Sequence, residues 1–540
     1  MRLLKSTLLG SAAGVFAVAG AQAADLPVKK AAPVEFVRVC SAYGAGFFYI
    51  PGTDTCLRIS GRARLEIGYQ ENFSRNQGSG DTTGYRGLAR INLDARTQTS
   101  YGTLRAFSRL EFASRTGFSS FASGTQQRIA NAFPALGQDQ FGRAQNFVNT
   151  DKAFIQFAGL TAGRASSFFD FYAHDFEIIA ATLGSDLQST NLLAYTAKLG
   201  DSGFSATLSL EDPTFRRNTI YSPANGAAAA AVGTSTFATF GASNAPAPVF
   251  TFNAAGEQVG IAFVDVTQRN RMPDFVGVLR YDAAWGSAQL SAAVKETNTG
   301  NFLPGVLGAN GIGRSRPSTD YGWAVQGGVK INLPFIAPGD TLYLQGAYGE
   351  GATLYTGYSN YQGSYISNTT TVGGASFNNY FADATLNPIT GQTQLSKSFT
   401  VTGSYLHYWS PEWRSAFFGS YGELEFAPGA RTAQGLASGF AGTNIAGSPG
   451  VPGTRSFALS QVLRDTYQLF GGASIIWSPV KDLDIGLEGM YTQTGVKSGR
   501  VTDLNKSFGI TAAQINAGAA VNTVTSYDTV QVRMRVQRDF

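Results

Sequence analysis

Bond chemistry has few places to start in this sequence. The only histidines are His174 and His407, and a hydrolase built on a Ser–His pair has little to work with when both sit poorly for it. His407 falls at outward parity on a strand-like segment, toward a rim or interface, and His174 lies in a long loop. Residues 308–313, Gly-Ala-Asn-Gly-Ile-Gly, are glycine-rich but lack the following lysine and the strand–turn–helix context of a phosphate loop; they read as a solvent-facing turn. Cys40 and Cys56 complete the inventory. In an exported chain, an oxidising compartment pairs two such cysteines by default, and closing a loop of this size contributes on the order of 3 kcal/mol in the chain-entropy view. Zinc is the weaker alternative, because it needs about four ligands at tight spacing. These residues give no enzyme and no cofactor. The chemistry that remains is charge: Arg58, Ser60, Arg62, Arg64 and Glu66 occupy alternate positions, which on a strand places them on one face.

The elements that must position those charges are strands. Of the 540 residues 43% are apolar and only 14% charged, at a mean hydropathy of −0.06. Disordered chains are poorer in apolar residues, and a string of soluble domains carries about 25% charge. Glycine (64), phenylalanine (39) and tyrosine (23) outweigh proline (19) and methionine (4), the profile of a large all-β protein with many turns. Arg2 and Lys5 precede an apolar run from Leu8 to Ala19 and the triplet Ala21-Gln22-Ala23, a secretory signal spanning 1–23. Its apolar run is shorter than the ~20 residues of a spanning helix, and no later run is long enough either. Without Arg2 and Lys5 the formal charge falls from +5 to +3, and no polybasic run points to nucleic acid.

From Leu57 onward polarity alternates with period two, the signature of strands. Leu57, Ile59, Gly61, Ala63, Leu65, Ile67 and Tyr69 share the face opposite the charges. At the far end Val530, Val532, Met534, Val536 and Phe540 alternate with Gln531, Arg533, Arg535, Gln537 and Asp539. Sixteen segments follow this pattern, starting at 57, 86, 102, 151, 160, 190, 203, 274, 287, 320, 340, 396, 413, 465, 482 and 527. Most reach the 9–11 residues with which a tilted strand crosses a bilayer; the fourth, 151–158, is short. Short connections alternate with eight long ones: 71–85, 114–150, 172–189, 212–273, 298–319, 351–395, 427–464 and 493–526. That rhythm is expected of a transmembrane antiparallel up-and-down β-barrel with tight turns at one rim and long loops at the other. Trp285, Trp409, Trp413 and Trp477 flank short turns and Trp323 starts a strand beside a long loop, as aromatic belts at two lipid–water interfaces would. The domain reading is a signal peptide over 1–23, a disulfide-closed segment over 24–56 and the barrel over 57–540.

Residues 39–59 (VCSAYGAGFFYIPGTDTCLRI), 153–159 (AFIQFAG), 163–171 (GRASSFFDF) and the terminal Phe540 together span almost the whole mature chain. On these pieces the chain resembles the general diffusion porins of alphaproteobacterial outer membranes. The resemblance implies a sixteen-stranded barrel in outer-membrane lipid, a homotrimer, and a third long loop folded inward to narrow the pore. It also implies that Phe540 with its alternating apolar residues is a signal for the barrel-insertion machinery, from which Arg538 departs at an outward position that a rim arginine can reach by snorkelling.

A porin makes and breaks no bonds, so its function rests on the width and field of a water-filled lumen. Strand parity directs Arg62, Arg64, Arg90, Arg96, Arg105, Arg109 and Arg164 inward from the early strands. Asp170, Asp175, Glu177 and Asp186 lie at or in the third long loop, with Ile178, Ile179, Ala180 and Ala181 to pack it on the wall. The expectation is a transverse field between wall arginines and loop carboxylates that favours passive passage of small hydrophilic solutes and ions. Two other readings stand beside it: a saturable, solute-specific channel, and a plugged barrel whose loops serve as an adhesive or binding surface.

Overall fold

The computed structural model describes residues 38–70, 83–117, 144–172, 176–179, 182–187, 189–223, 246–302, 316–358, 381–440, 448–503, 506–507 and 509–540. The proposed signal segment, Asp175, His174 and the glycine-rich stretch at 308–313 lie outside the described residues. The chain divides after Cys56. In the first unit Val39 bridges Phe48, the Tyr49 amide donates to the Arg38 carbonyl at 2.9 Å, and Cys40 is joined to Cys56. Cys40, Phe47 and Cys56 form its small buried centre.

The second unit is a closed barrel of sixteen strands: β1 (Cys56–Gln70), β2 (Thr83–Thr99), β3 (Gly102–Gly117), β4 (Ala144–Phe157), β5 (Leu160–Ala165), β6 (Thr190–Lys198), β7 (Phe204–Glu211), β8 (Asp274–Ala283), β9 (Gly286–Thr299), β10 (Ser318–Asn332), β11 (Thr341–Glu350), β12 (Lys397–Tyr408), β13 (Trp413–Glu425), β14 (Thr466–Val480), β15 (Leu483–Val496) and β16 (Ser526–Asp539). Each pairs with its chain neighbours, and β16 closes the ring on β1, Arg62 opposite Asp539 and Leu65 opposite Val536. Closure leaves no open edge, as backbone in lipid requires.

The alternation predicted from sequence sets the faces. On β1, Ile59 and Leu65 are 53% and 46% exposed on the outer face while Glu66, next to Leu65, is 0% exposed. Trp413 and Trp477 pair across β13 and β14 with stacked rings 5.8 Å apart, at the short-turn end. Trp323, near the start of β10, meets Tyr348 at 5.6 Å at the other end. The turn between β4 and β5 has Ala158 and Gly159 at φ 48° and 89°, the two left-handed residues that a two-residue hairpin turn needs.

Several strands differ at their ends from the sequence reading: the second begins at Thr83 rather than 86, the fifth ends at Ala165 so that its connection starts at 166 rather than 172, and the fourth begins at Ala144 rather than Asp151. Residues 144–150, Ala-Gln-Asn-Phe-Val-Asn-Thr, lack a regular polar–apolar alternation yet still pair with β3. A bulge at Arg109/Leu110 shifts that register. β14 runs through Val480, so the turn expected at 478–481 is shorter and the irregularity falls inside the strand pair. The long connections carry structure of their own. A hairpin joins Pro246–Phe252 to Gln258–Asp265, Ile220–Tyr221 pairs with Ala384–Leu386, and helix α1 (Ala430–Phe440) follows β13.

Candidate functional site

In the connection between β5 and β6, the described residues 166–172, 176–179, 182–187 and 189 make hydrogen bonds to side chains of distant strands. Gln289 of β9 donates to the Phe168 carbonyl at 3.2 Å and Gln326 of β10 to that of Phe169 at 2.9 Å. The Tyr172 amide donates to Gln345 of β11 at 3.1 Å, and that of Leu183 to Ser420 of β13 at 2.9 Å. Glu488 of β15 accepts from the amides of Ile178 and Ile179 at 2.8 and 2.6 Å, and Arg535 of β16 donates to the Ile178 carbonyl. Described residues of this one connection thus meet β9, β10, β11, β13, β15 and β16. Ile178 and Ile179 are buried as the sequence suggested, with Ile178 lying over Gly486, where a side chain would leave it no room.

The crossing loop is held at its root by a buried ion pair. Asp170 accepts from Arg216 at 2.5 Å and from Ser185 at 2.6 Å, and the Arg216 guanidinium stacks 4.6 Å over Tyr355. Arg216 lies outside the strands, and although burial opposes its charge, the Asp170 carboxylate more than restores it and raises its affinity for the proton. Lys295 pairs with Asp383 nearby, and Asp383 also accepts from the amides of Asn218 and Thr353, both at 2.9 Å. These contacts tie described residues of the long connections to the β9 wall.

Along the other wall lies a cavity of about 830 Å³. Of the expected residues, Arg62, Arg64, Arg90, Arg109 and Glu177 line it. Arg62 pairs with Asp539 at 2.6 Å, Arg64 donates to Gln537 at 2.9 Å, Arg90 pairs with Glu111, and Arg109 reaches Asn92 at 3.0 Å and Asp151 at 3.4 Å. Glu177 is buried and accepts from the Tyr172 hydroxyl. The structure places the remaining expected residues elsewhere. Arg96 and Arg105 converge on Asp94 at 2.8 and 2.9 Å, close to the short turn after β2. Arg164 donates to the Thr150 carbonyl at 2.7 Å and lies over Phe215. Asp170 is committed to Arg216, and Asp186 lies within electrostatic reach of Lys152.

Five cations of this lining went unremarked as candidates: Arg86, Lys152, Arg414, Arg533 and Arg535. Their inward parity was the available signal, and Arg533 and Arg535 were already on the polar face of the last strand. Arg86 and Arg535 reach Glu66 at 2.6 and 3.0 Å, and Arg64 approaches it at 3.7 Å. In total nine Lys or Arg side chains and five Asp or Glu side chains line the cavity among the described residues. At the short-turn rim, Arg538 reaches past the apolar face to Asp482 at 3.8 Å. There too Asp340 accepts from Tyr405 and His407, both at 2.7 Å, and from the Tyr408 amide at 2.8 Å.

A closed sixteen-stranded barrel with an apolar outer belt and a charged, water-accessible interior defines a channel protein of the outer membrane. The chain belongs to the porin family: the Porin subfamily profile matches residues 25–525. It is 30% identical over 371 residues to Porin Omp2b of Brucella suis, covering 67% of this chain and 78% of that protein. It is likewise 30% identical over 368 residues to Porin Omp2b of Brucella abortus (strain 2308), with the same coverage. The fold is similar to that of the outer membrane channel DcaP of Acinetobacter baumannii, at a TM-score of 0.51 and 12% identity, covering 91% of this chain and 99% of that one. The protein is a diffusion channel, not an enzyme, and crosses the bacterial outer membrane as a multi-pass β-barrel.

Proposed function

We propose that the conducting path runs along the arginine wall formed by β1–β4 and β13–β16, with the inward loop as its opposite bank, and that passive flow through it favours small hydrophilic anions. The observation that carries this reading is the lining of the 830 Å³ cavity, nine cations against five carboxylates. A water-filled gap with low-dielectric walls focuses such an imbalance, raising the local concentration of counter-ions. Arginine suits the task because it stays charged at every accessible pH and its planar fork is held by neighbours. Glu177, Ile178 and Ile179 bring the loop to this gap, so the constriction lies where the loop meets β15 and β16. Apolar solutes would have to shed the hydration that the charged walls order, which selects for polar ones.

The reading includes a homotrimer, and insertion through the barrel-assembly machinery guided by Phe540. Planar-bilayer recording under a potassium chloride gradient tests the channel. Discrete current steps with a chloride-preferring reversal potential are expected. Absence of steps from a folded, heat-modifiable barrel would favour the plugged, surface-binding alternative, and a potassium preference would refute the anion path. A heat-labile trimer band in mild detergent tests assembly, and a monodisperse monomer would refute it.

A further inference from the structure

Inward positions on the wall of a water-filled barrel are usually polar, and on β12 Thr400, Thr402 and Ser404 follow that rule. The next two inward positions of the strand, Leu406 and Tyr408, break it, and Ile476 does so on β14. All three line the 830 Å³ cavity. Register brings them to the level of the charges: Tyr408 is opposite Arg414, Arg414 opposite Ile476, Ile476 opposite Gly486 and Gly486 opposite Arg535. The connection between β5 and β6 adds Phe176 and Ile178 to the same lining. A Cβ on Gly486 would stand 2.7 Å from Ile178 and 3.1 Å from Ile476, so these two side chains meet over the glycine. Phe176 is set edge-on to Tyr343 with ring centres 5.4 Å apart, and a Cβ on Gly339 would come within 2.9 Å of the Tyr408 ring, so both rings are held by their neighbours. Both keep part of their surface open. The cavity is therefore two-sided, with cations on β1–β4 and β16 and an apolar flank on β12 and β14, Arg414 standing between the two strands of that flank.

We propose that this flank makes the cavity a saturable site for aromatic monocarboxylates, the chemistry of benzoate. The inference rests on the reading of the arginine wall as the anion path. With its own ion pairs intact, that wall gathers any small counter-ion in its field; the flank then sorts the anions by their bodies. A ring set beside Phe176 and Tyr408 gains edge-to-face and offset contacts with theirs and sheds its own hydration. Acetate carries the same charge but has no body to place there. The volume of about 830 Å³ falls within the roughly 300–1,000 Å³ of sites that enclose small organic molecules. A ring-bearing anion passes, but it lingers and obstructs the chloride behind it.

The test is chloride current through single channels titrated with benzoate at pH 8, with acetate and cyclohexanecarboxylate as comparison anions. Benzoate is expected to reduce chloride conductance along a saturating curve, acetate to have no such effect at the same concentrations, and cyclohexanecarboxylate to block less than benzoate. Tyr408→Ser should raise the half-blocking benzoate concentration by about two- to tenfold, the span of one aromatic contact, and Tyr408→Phe, which brings the ring back, should restore the block. Phe176→Ser should act in the same direction as Tyr408→Ser. Each variant must still carry chloride to be read, so a misfolded barrel cannot pass for a positive result, and Tyr408 belongs to the wall, so its effect is separate from the position of the loop. Equal block by benzoate and acetate, or wild-type benzoate block in both serine variants, overturns the site and leaves the anion path standing. Equal block by benzoate and cyclohexanecarboxylate overturns the selection for a ring. A potassium preference under a salt gradient overturns the site and the anion path together.

Discussion

Replacing Arg216 by methionine isolates what holds the crossing loop in place. Arg216 and Asp170 meet at 2.5 Å with side chains only 2% and 6% exposed. The variant leaves the Asp170 carboxylate buried with Ser185 and the Leu187 amide as its remaining donors. Removing one partner of a buried pair costs about 3–5 kcal/mol, because the charge left behind has no counter-charge. At about 1.4 kcal/mol per tenfold, the fraction of time the loop root spends detached rises by roughly two to three and a half orders of magnitude. The barrel itself is unaffected, since the pair joins two connections rather than two strands. Single-channel traces should therefore pass from a steady level to flicker, with excursions to higher conductance as the loop leaves the lumen. The double variant Asp170→Asn with Arg216→Met removes both charges and should recover most of the quiet state, giving a strong interaction term in the double-mutant cycle. A quiet trace at wild-type conductance from Arg216→Met, in a barrel that still shows heat-modifiability, would refute the clasp.

Other outcomes follow from the same geometry. Substituting Arg62, Arg64 and Arg105 by glutamine should move the reversal potential toward cations. A unit charge about 8 Å from the ion path in water contributes on the order of 0.5 kcal/mol, or about twofold in permeability per site, and Arg105, outside the cavity lining, should contribute least; an unchanged potential would refute the assignment. Gly61→Ala should weaken the barrel seam by about 1–3 kcal/mol, read as a lower unfolding temperature. A Cβ there would stand 2.4 Å from the Phe540 ring and 2.5 Å from the Arg90 carbonyl, and the carbonyl belongs to backbone that cannot move aside. Asp340→Asn should lower thermal stability at neutral pH by about 1–3 kcal/mol. Burial disfavours the Asp340 carboxylate, but hydrogen bonds from Tyr405, His407 and the Tyr408 amide outweigh it and hold the group below the usual carboxylate range. Its contribution is therefore complete above that range and lost as pH falls through the depressed value, so wild type and variant should converge in strong acid.

Period-two polarity made the strands legible, since a side chain on a barrel wall has only two directions. Glu66 and Leu65 could be assigned to opposite faces from their order alone, and the sixteen segments, the sequence of long and short connections and the tryptophan belts followed. Parity says nothing about depth or partner. Arg96 and Arg90 share a face, yet Arg96 sits near the short turn with Asp94 while Arg90 borders the cavity with Glu111. Asp170 has the composition of a lumenal carboxylate, but its partner, Arg216, comes from a different long connection, and no local pattern links the two. The start of β4 is illegible for a similar reason: its first residues, Ala-Gln-Asn-Phe-Val-Asn-Thr, do not alternate regularly, and their pairing follows β3 rather than their own pattern.

The seam between β1 and β16 makes the protein's assembly self-checking. The strand that completes the ring is the last of the sixteen along the chain, so the outer edges of β1 and β15 stay unsatisfied until residues 526–539 arrive. Register at that junction decides more than closure. A one-residue slip in the register of β16 would turn every side chain of the strand to the opposite face, sending Arg533 and Arg535 into hydrocarbon and Met534 and Val536 into water. Such an error could not be absorbed as a small defect in the pore, because the ring would fail to seal in the membrane at all. A frameshifted or truncated chain is thus rejected by the bilayer itself, before its conductance matters.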